Sequence, residues 1–373
     1  RRVVENPPME ATALHTGVIN GIQMEWVDTA TTAEERAAGR PAVLFLHGWP
    51  ESWYSWRFQL AAVKAAGYRG IAPSMRGYGG TEAPSEYASY NAYNLAADAL
   101  GLLQRLGIEC VALVGHDHGA NLGWKLCLLH PRVFTAYVAM SVPYGGRPKG
   151  APLSRLRAKF GHEADRGAAF NYQLHHCLPC AASQYDAAPR AALLALYSDP
   201  ATQAGGGFAA PPVQSSAMYV DGVAEPMWRR VPQPQQLPHW LSPAALEHYV
   251  RSFGRSGFHG GLCWYAVMDL DWHATPQLAG RRLTQPVTFI AGAADMVLRW
   301  YGGAEGCAQQ LRRACEQPVE VHILEDTGHW VQQERPEAVS RLLLAFLAKH
   351  RARFAPPSEP AAADSRAAPR PKL

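Results

Sequence analysis

Val111-Ala-Leu-Val-Gly-His-Asp-His-Gly-Ala120 is the stretch that decides the fold. Residues 110–114 predict a short buried strand, Gly115-His116-Asp117-His118-Gly119 follows, and residues 120–129 are helix-compatible. A small residue on each side of a central one is what a very sharp strand-to-helix turn needs. The backbones then pack closely, and the middle side chain stands above the sheet. The familiar form of this turn carries Ser in the middle, whereas here the middle is Asp117. A carboxylate is ionised at neutral pH without help from a base, and it can attack carbon directly to form an ester. Five residues alone also fit a plain Gly-rich turn with a solvated Asp, so the rest of the chain must supply partners.

Upstream, Val18-Ile-Asn-Gly-Ile-Gln-Met-Glu-Trp-Val27 predicts two strands about an Asn-Gly turn. The polar residues 29–40 predict a loop, and Ala42-Val-Leu-Phe-Leu46 predicts a strand buried on both faces of a parallel sheet. A helix over 53–66, a strand over 68–72, a helix over 91–106 and a strand over 134–142 follow. This alternation predicts an α/β fold with a mostly parallel, doubly wound sheet. From 144 to 274 the strand signal fades. Helices are expected over 153–160, 168–176, 188–197, 243–253 and 262–272, with a Gly/Pro/Gln-rich loop over 199–238. These residues predict a helical cap inserted between two core segments, 15–143 and 275–352. The core resumes with strands over 287–291 and 319–324 and ends in a helix over 336–349. The Ala/Pro-rich tail, 355–373, reads as disordered.

The chain has 373 residues, with 48% hydrophobic and 18% charged side chains and a net charge of +4, which fits an ordinary globular protein. Basic residues are scattered, without the aromatic interleaving of a nucleic-acid surface. No apolar run reaches the roughly 20 residues of a membrane span, and residues 1–12 lack the apolar core of a secretory signal. Seven irregularly spaced cysteines predict reduced thiols in an intracellular compartment. Cys177-Leu-Pro-Cys180, beside His175 and His176, could pair or form half a metal site. No second such pair exists to complete four ligands, so free thiols are expected.

A hydrolase built on this elbow needs a base and an acid, in the chain order nucleophile, acid, His. Gly292-Ala-Ala-Asp295 follows one late strand, and Glu325-Asp-Thr-Gly-His329-Trp330 follows the next. Both loops are expected at the carboxyl ends of strands, where catalytic groups gather. Asp295 is the expected acid for His329, with Asp326 as its competitor. An ester intermediate also needs backbone N–H donors for an oxyanion. His118 and Trp49 are placed to supply them.

His47-Gly-Trp-Pro-Glu-Ser-Trp-Tyr-Ser-Trp56, Arg76-Gly-Tyr-Gly79, Gly115-His-Asp-x-Gly119 and Gly328-His-Trp330 together resemble the soluble epoxide hydrolases of the α/β-hydrolase superfamily. The likeness runs from about Val18 to Lys349, without the amino-terminal phosphatase domain of the mammalian members. It implies an α/β-hydrolase fold with a lid. It also implies two lid tyrosines, Tyr172 and Tyr265, that grip an epoxide oxygen, with Tyr144, Tyr185, Tyr197, Tyr219 and Tyr249 as other tyrosines in or near the cap. The implied partners are an epoxide and water, with no metal or organic cofactor. Two departures stand out. His118 replaces the usual Trp after the nucleophile, and Cys177-Leu-Pro-Cys180 replaces most of a Gln-Glu-Pro-Gly segment. Epoxide opening leaves an alkoxide that needs an acid, and Tyr stays protonated at neutral pH. A haloalkane or haloacid dehalogenase, the alternative, would want Trp or Asn donors for the halide. Pro371-Lys-Leu373 resembles a peroxisomal signal read by an import receptor, so the expected location is peroxisomal or cytoplasmic.

Overall fold

The computed structural model describes residues 12–197, 217–220, 222–230, 234 and 236–355. The tail, its Pro-Lys-Leu end and much of the 199–238 loop lie outside these residues. An eight-stranded sheet forms the core. Its strands are β1 (Ala13–Ile19), β2 (Ile22–Asp28), β3 (Ala42–Leu46), β4 (Arg69–Pro73), β5 (Val111–His116), β6 (Phe134–Met140), β9 (Val287–Gly292) and β10 (Glu320–Leu324), in the order β1-β2-β4-β3-β5-β6-β9-β10. The hairpin β1–β2 is antiparallel and β2 meets β4 antiparallel, while all other pairs are parallel. β3 and β5 are buried along their whole length, which explains the apolar runs over 42–46 and 111–114.

The helices α2 (Arg57–Ala65) and α3 (Ala92–Arg105) make the crossovers β3→β4 and β4→β5. These crossovers run in opposite directions across the sheet. Right-handed connections therefore set α2 and α3 on opposite faces. The reversal also makes the gap between the ends of β3 and β5 the topological switch point, where such sheets form a crevice. α4 (His118–Leu129) leaves β5 directly, and α15 (Pro336–His350) closes the core.

Between β6 and β9 lie α5 (Pro152–Phe160), α6 (Tyr172–His176), α7 (Ala181–Asp186), α8 (Pro189–Leu196), a small hairpin β7 (Tyr219–Val220) and β8 (Val223–Ala224), α9 (Pro243–Ser256), α10 (His259–Ala266) and α11 (Met268–Ala274). Specific polar contacts seat this layer on the core. The Trp264 Nε1–H donates to the Arg76 carbonyl at 3.2 Å, Lys125 meets Asp271 at 2.8 Å, and the Tyr197 hydroxyl donates to the Pro50 carbonyl. Gly77 and Gly260 touch backbone to backbone, and a Cβ on Gly77 would stand 2.7 Å from the Gly260 Cα.

Several local expectations change. Residues 29–40 are not wholly loop, because α1 (Ala33–Ala37) forms inside them. Thr32 and Glu35 complete a capping box there, a signal already present in the sequence. The helix expected over 168–176 starts only at Tyr172, because the Asn171 side chain caps it and Ala169 bridges to Ala217 instead. The helix expected over 262–272 is two helices that break at Val267. Residues 53–56 form a 3-10 turn before α2. Two helices that no pattern suggested, α12 (Met296–Trp300) and α13 (Gly303–Ala314), lie between β9 and β10, and a short α14 (Val331–Glu334) precedes α15.

Candidate active site

Asp117 sits at the β5–α4 junction with φ 51° and ψ −117°, a backbone conformation that a non-glycine residue reaches only under local constraint. The flanking glycines supply that constraint. A Cβ on Gly115 would stand 2.6 Å from the Gly119 carbonyl oxygen, and one on Gly119 would fall on the Leu46 carbonyl oxygen. Gly48, in the loop after β3, is needed too, since its Cβ would stand 2.6 Å from Asp117 Oδ1. The elbow is thus wedged against β3 at the switch point, and the Asp117 side chain keeps 17% exposure.

The two carboxylate oxygens of Asp117 have different surroundings. Oδ1 accepts a hydrogen bond from the Trp49 backbone N–H at 3.0 Å. Oδ2 faces His329 Nε2 at 3.5 Å, which is long for a direct hydrogen bond. The His118 N–H lies in the first turn of α4, where a helix leaves its N–H groups without intrahelical partners. His329 Nδ1 meets both oxygens of Asp295, at 3.1 and 3.0 Å. Asp295 is buried, and it also caps α12 by accepting from the Val297 N–H at 2.8 Å. It is Asp295, not the nearer-in-sequence Asp326, that stands at Nδ1.

The charges reinforce one another. Burial alone would raise the Asp117 pKa, but the nearby His118 and His329 rings outweigh it and hold the carboxyl well below its usual range. Burial pushes His118 itself down from the usual imidazole value, against the pull of Asp117, so its ring is neutral near pH 7. The lasting part of the downward pull on Asp117 is therefore His329. Burial works against a charged His329, yet Asp295 and Asp117 on either side raise it well above the usual value. In the resting state the three groups form a carboxylate–imidazolium–carboxylate row.

Above the elbow, the Tyr265 ring packs edge-on to His118 at 4.4 Å between centroids, and Tyr172 packs edge-on to Tyr265 at 5.9 Å. Burial, followed by the Tyr172 neighbour for Tyr265 and by Asp117 for both, raises their hydroxyl pKa values well above the ordinary phenol value. Among the described residues nothing hydrogen-bonds the Tyr265 hydroxyl. The other cap tyrosines are differently engaged. Tyr185 is bonded to His176 and Met227, Tyr249 to Ser55 and Gln333, Tyr197 to Pro50, and Tyr144 stacks on Trp124. The 177–180 segment holds free thiols, with Cys177 Sγ donating to the Gln173 carbonyl. His176 turns away from them to pack on Trp49 and Tyr265, at 4.5 and 4.6 Å.

The structure adds a support that sequence reasoning missed. His116 Nδ1 lies 2.8 Å from Glu51 Oε2, and its Nε2 lies 2.8 Å from the His329 carbonyl oxygen. An acceptor oxygen thus stands at each nitrogen of the His116 ring. Burial would raise the Glu51 pKa, but His116 and the Gly48 N–H more than offset it, and the carboxylate is held below its usual value. Glu51 Oε1 further accepts from Gln332 at 2.7 Å, and the Ser141 hydroxyl donates to the His329 carbonyl at 3.0 Å. This buried network fixes the backbone of the His329 loop relative to the elbow. Glu51 and His116 stand inside the two motifs that the sequence singled out, but nothing in their spacing pairs them.

Comparison with known proteins agrees with this geometry. Residues 41–173 match the model of the alpha/beta hydrolase fold family. Epoxide hydrolase A of Mycobacterium tuberculosis is 37% identical over 339 residues, which cover 88% of this chain and 95% of that protein. The chain belongs to the epoxide hydrolase family of the α/β hydrolases. Epoxide hydrolase 3 of Siraitia grosvenorii is 33% identical across 88% of this chain and 96% of its own. Among solved structures, epoxide hydrolase A from Mycobacterium thermoresistibile superposes with a TM-score of 0.78 at 34% identity, covering 90% of this chain and 98% of that one. The dehalogenase alternative is not favoured by these relatives.

Proposed function

We propose that this epoxide hydrolase family member converts epoxides to vicinal diols in two half-reactions centred on Asp117. The observation that carries the reading is the asymmetry of the Asp117 carboxylate. One oxygen is held by the Trp49 N–H, and the other is left facing His329 beneath two tyrosines. Oδ2 attacks an epoxide carbon while Tyr172 and Tyr265 hydrogen-bond to the ring oxygen and supply its proton. Their raised pKa values keep both hydroxyls protonated at neutral pH, and the resulting tyrosinate is quickly reprotonated, with the His329 imidazolium as the nearest proton source.

Ester formation removes the Asp117 charge. One of the two carboxylates that hold His329 protonated is then gone, so its pKa falls and the neutral ring can act as base. His329, oriented by Asp295, takes a proton from a water that attacks the ester carbonyl carbon. The developing oxyanion is the oxygen already resting on the Trp49 N–H, with the His118 N–H as second donor. Collapse releases the diol and restores the carboxylate.

A single turnover in oxygen-labelled water tests the reading. Label enters Asp117 first, and label appearing directly in the first-turnover diol would overturn the ester route. In His329→Gln the alkyl-enzyme accumulates, and mass spectrometry reads the added mass on the peptide containing Asp117.

A further inference from the structure

His176 is a buried ring that the two half-reactions do not use, and it touches three residues that they do. It closes α6, the five-residue helix that opens with Tyr172, so the two rings stand one turn apart on one face. They meet edge-on at 5.6 Å between centroids. His176 also packs on Trp49 at 4.5 Å and on Tyr265 at 4.6 Å. Its neighbours are thus both candidate acids of the cap and the residue whose backbone N–H holds Asp117 Oδ1.

The Trp49 indole is gripped from the cap. Its ring neighbours are His176, Tyr185 and Tyr265, and a Cβ on Gly261 of α10 would stand 2.7 Å from Trp49 Cδ1. The Trp49 N–H therefore belongs to the loop after β3, while its side chain is held by the cap. His176 in turn is fixed by a directional contact as well as by packing. Its Nε2 lies 2.9 Å from the Tyr185 hydroxyl of α7, which donates to Met227 Sδ at 3.2 Å. The ring is 3% exposed, and burial, with the His175 and His118 rings nearby, holds its pKa well below the usual imidazole value. It is uncharged near neutral pH and acts on its neighbours through shape and one hydrogen bond.

We propose that His176 is a positioning residue that, through its bond to Tyr185, sets the Trp49 N–H of the core and the Tyr172 and Tyr265 hydroxyls of the cap in register about Asp117. The inference rests on the reading that an ester forms on Asp117 and is then hydrolysed. The tyrosines act in the first step. The Trp49 N–H orients the carboxylate in the first step and takes the oxyanion in the second. A displaced ring at 176 therefore slows both, and a shift of about 0.5 Å in a positioned group costs on the order of tenfold in rate.

Rapid quench with styrene oxide, followed by mass spectrometry of the peptide containing Asp117, gives the rates of ester formation and ester loss and the fraction of sites that react. His176→Ala slows both rates about ten- to thirtyfold with the reacting fraction unchanged. His176→Phe refills the stack without the hydrogen bond and brings both rates back to within about threefold of the unaltered protein. Tyr185→Phe keeps every ring and removes only the bond. It slows both steps about threefold, and adding it to His176→Phe costs nothing further. This variant decides the matter if His176→Ala does not fold. A smaller reacting fraction with unchanged rates is what a purely structural ring predicts, and it overturns the proposal. So does a loss confined to one step, or rates within about twofold of the unaltered protein in both His176→Ala and Tyr185→Phe. If the unaltered protein forms no ester on Asp117, the two-step reading fails and takes this inference with it. An ester formed and lost at unaltered rates in the variants defeats the His176 inference alone.

Discussion

At the scale of single residues, His329 is the group whose state must change under the proposed mechanism. Its folded pKa is raised because Asp295 and Asp117 flank it, against the effect of burial. Its pairing therefore stabilises the fold fully below the ordinary imidazole pKa of about 6.5, and that stabilisation is lost as pH rises through the raised folded value. Asp117→Asn removes one flanking charge, so His329 titrates at lower pH in the variant. NMR of the imidazole ring protons reads this directly, and an unchanged titration would show that the Asp117 charge does not reach the ring. The candidate triad was legible residue by residue, because an elbow, a strand-end Asp and a Gly-His-Trp loop each have a local pattern. The Glu51–His116 pair was not, since a contact across 65 residues leaves no periodicity to read.

Among the elements, the β5–α4 elbow depends on glycines for space more than for backbone freedom. A methyl at Gly119 would sit on the Leu46 carbonyl, and neither β3 nor β5 can shift inside a buried parallel sheet. Gly119→Ala is expected to cost about 3 kcal/mol through overpacking, measured as a lower urea midpoint, with activity lost alongside. An unaffected midpoint would mean that the elbow relaxes. Strands and long helices were foreseen to within a few residues, because buried parallel strands are continuous apolar runs and long helices keep their period. The short helix α12 was missed because its position is set by the Asp295 cap. The longer α13 is an exception, missed although it buries Cys307, Leu311 and Ala314 at helical spacing. The late start at Tyr172 came from one capping Asn, which periodicity ignores.

Over the whole molecule, core and cap meet through a few buried polar ties. Arg76, after β4, makes a two-pronged pair with Asp98 of α3, at 2.8 and 2.6 Å, while its carbonyl accepts from the cap residue Trp264. Both charged side chains are 5% exposed, so removing one leaves the other buried without its partner. Arg76→Met is expected to destabilise the protein by about 3–5 kcal/mol, and Arg76→Met with Asp98→Leu to recover most of that. Urea unfolding of the single and double variants checks this. A double variant as weak as the single one would mean that the loss lies in packing and not in the stranded charge.

The sequence by itself determined the α/β class, the elbow with Asp117 in the place of Ser, and the chemistry open to a carboxylate there. These are written in local patterns: apolar runs, glycine spacing and the order of nucleophile, acid and His. Only the tertiary structure decided which Asp stands at His329 Nδ1, and which oxygen of Asp117 rests on the Trp49 N–H and which faces His329. Those facts depend on distances between residues far apart in the chain. Such distances are set by how the strands order in the sheet and how the cap settles on it.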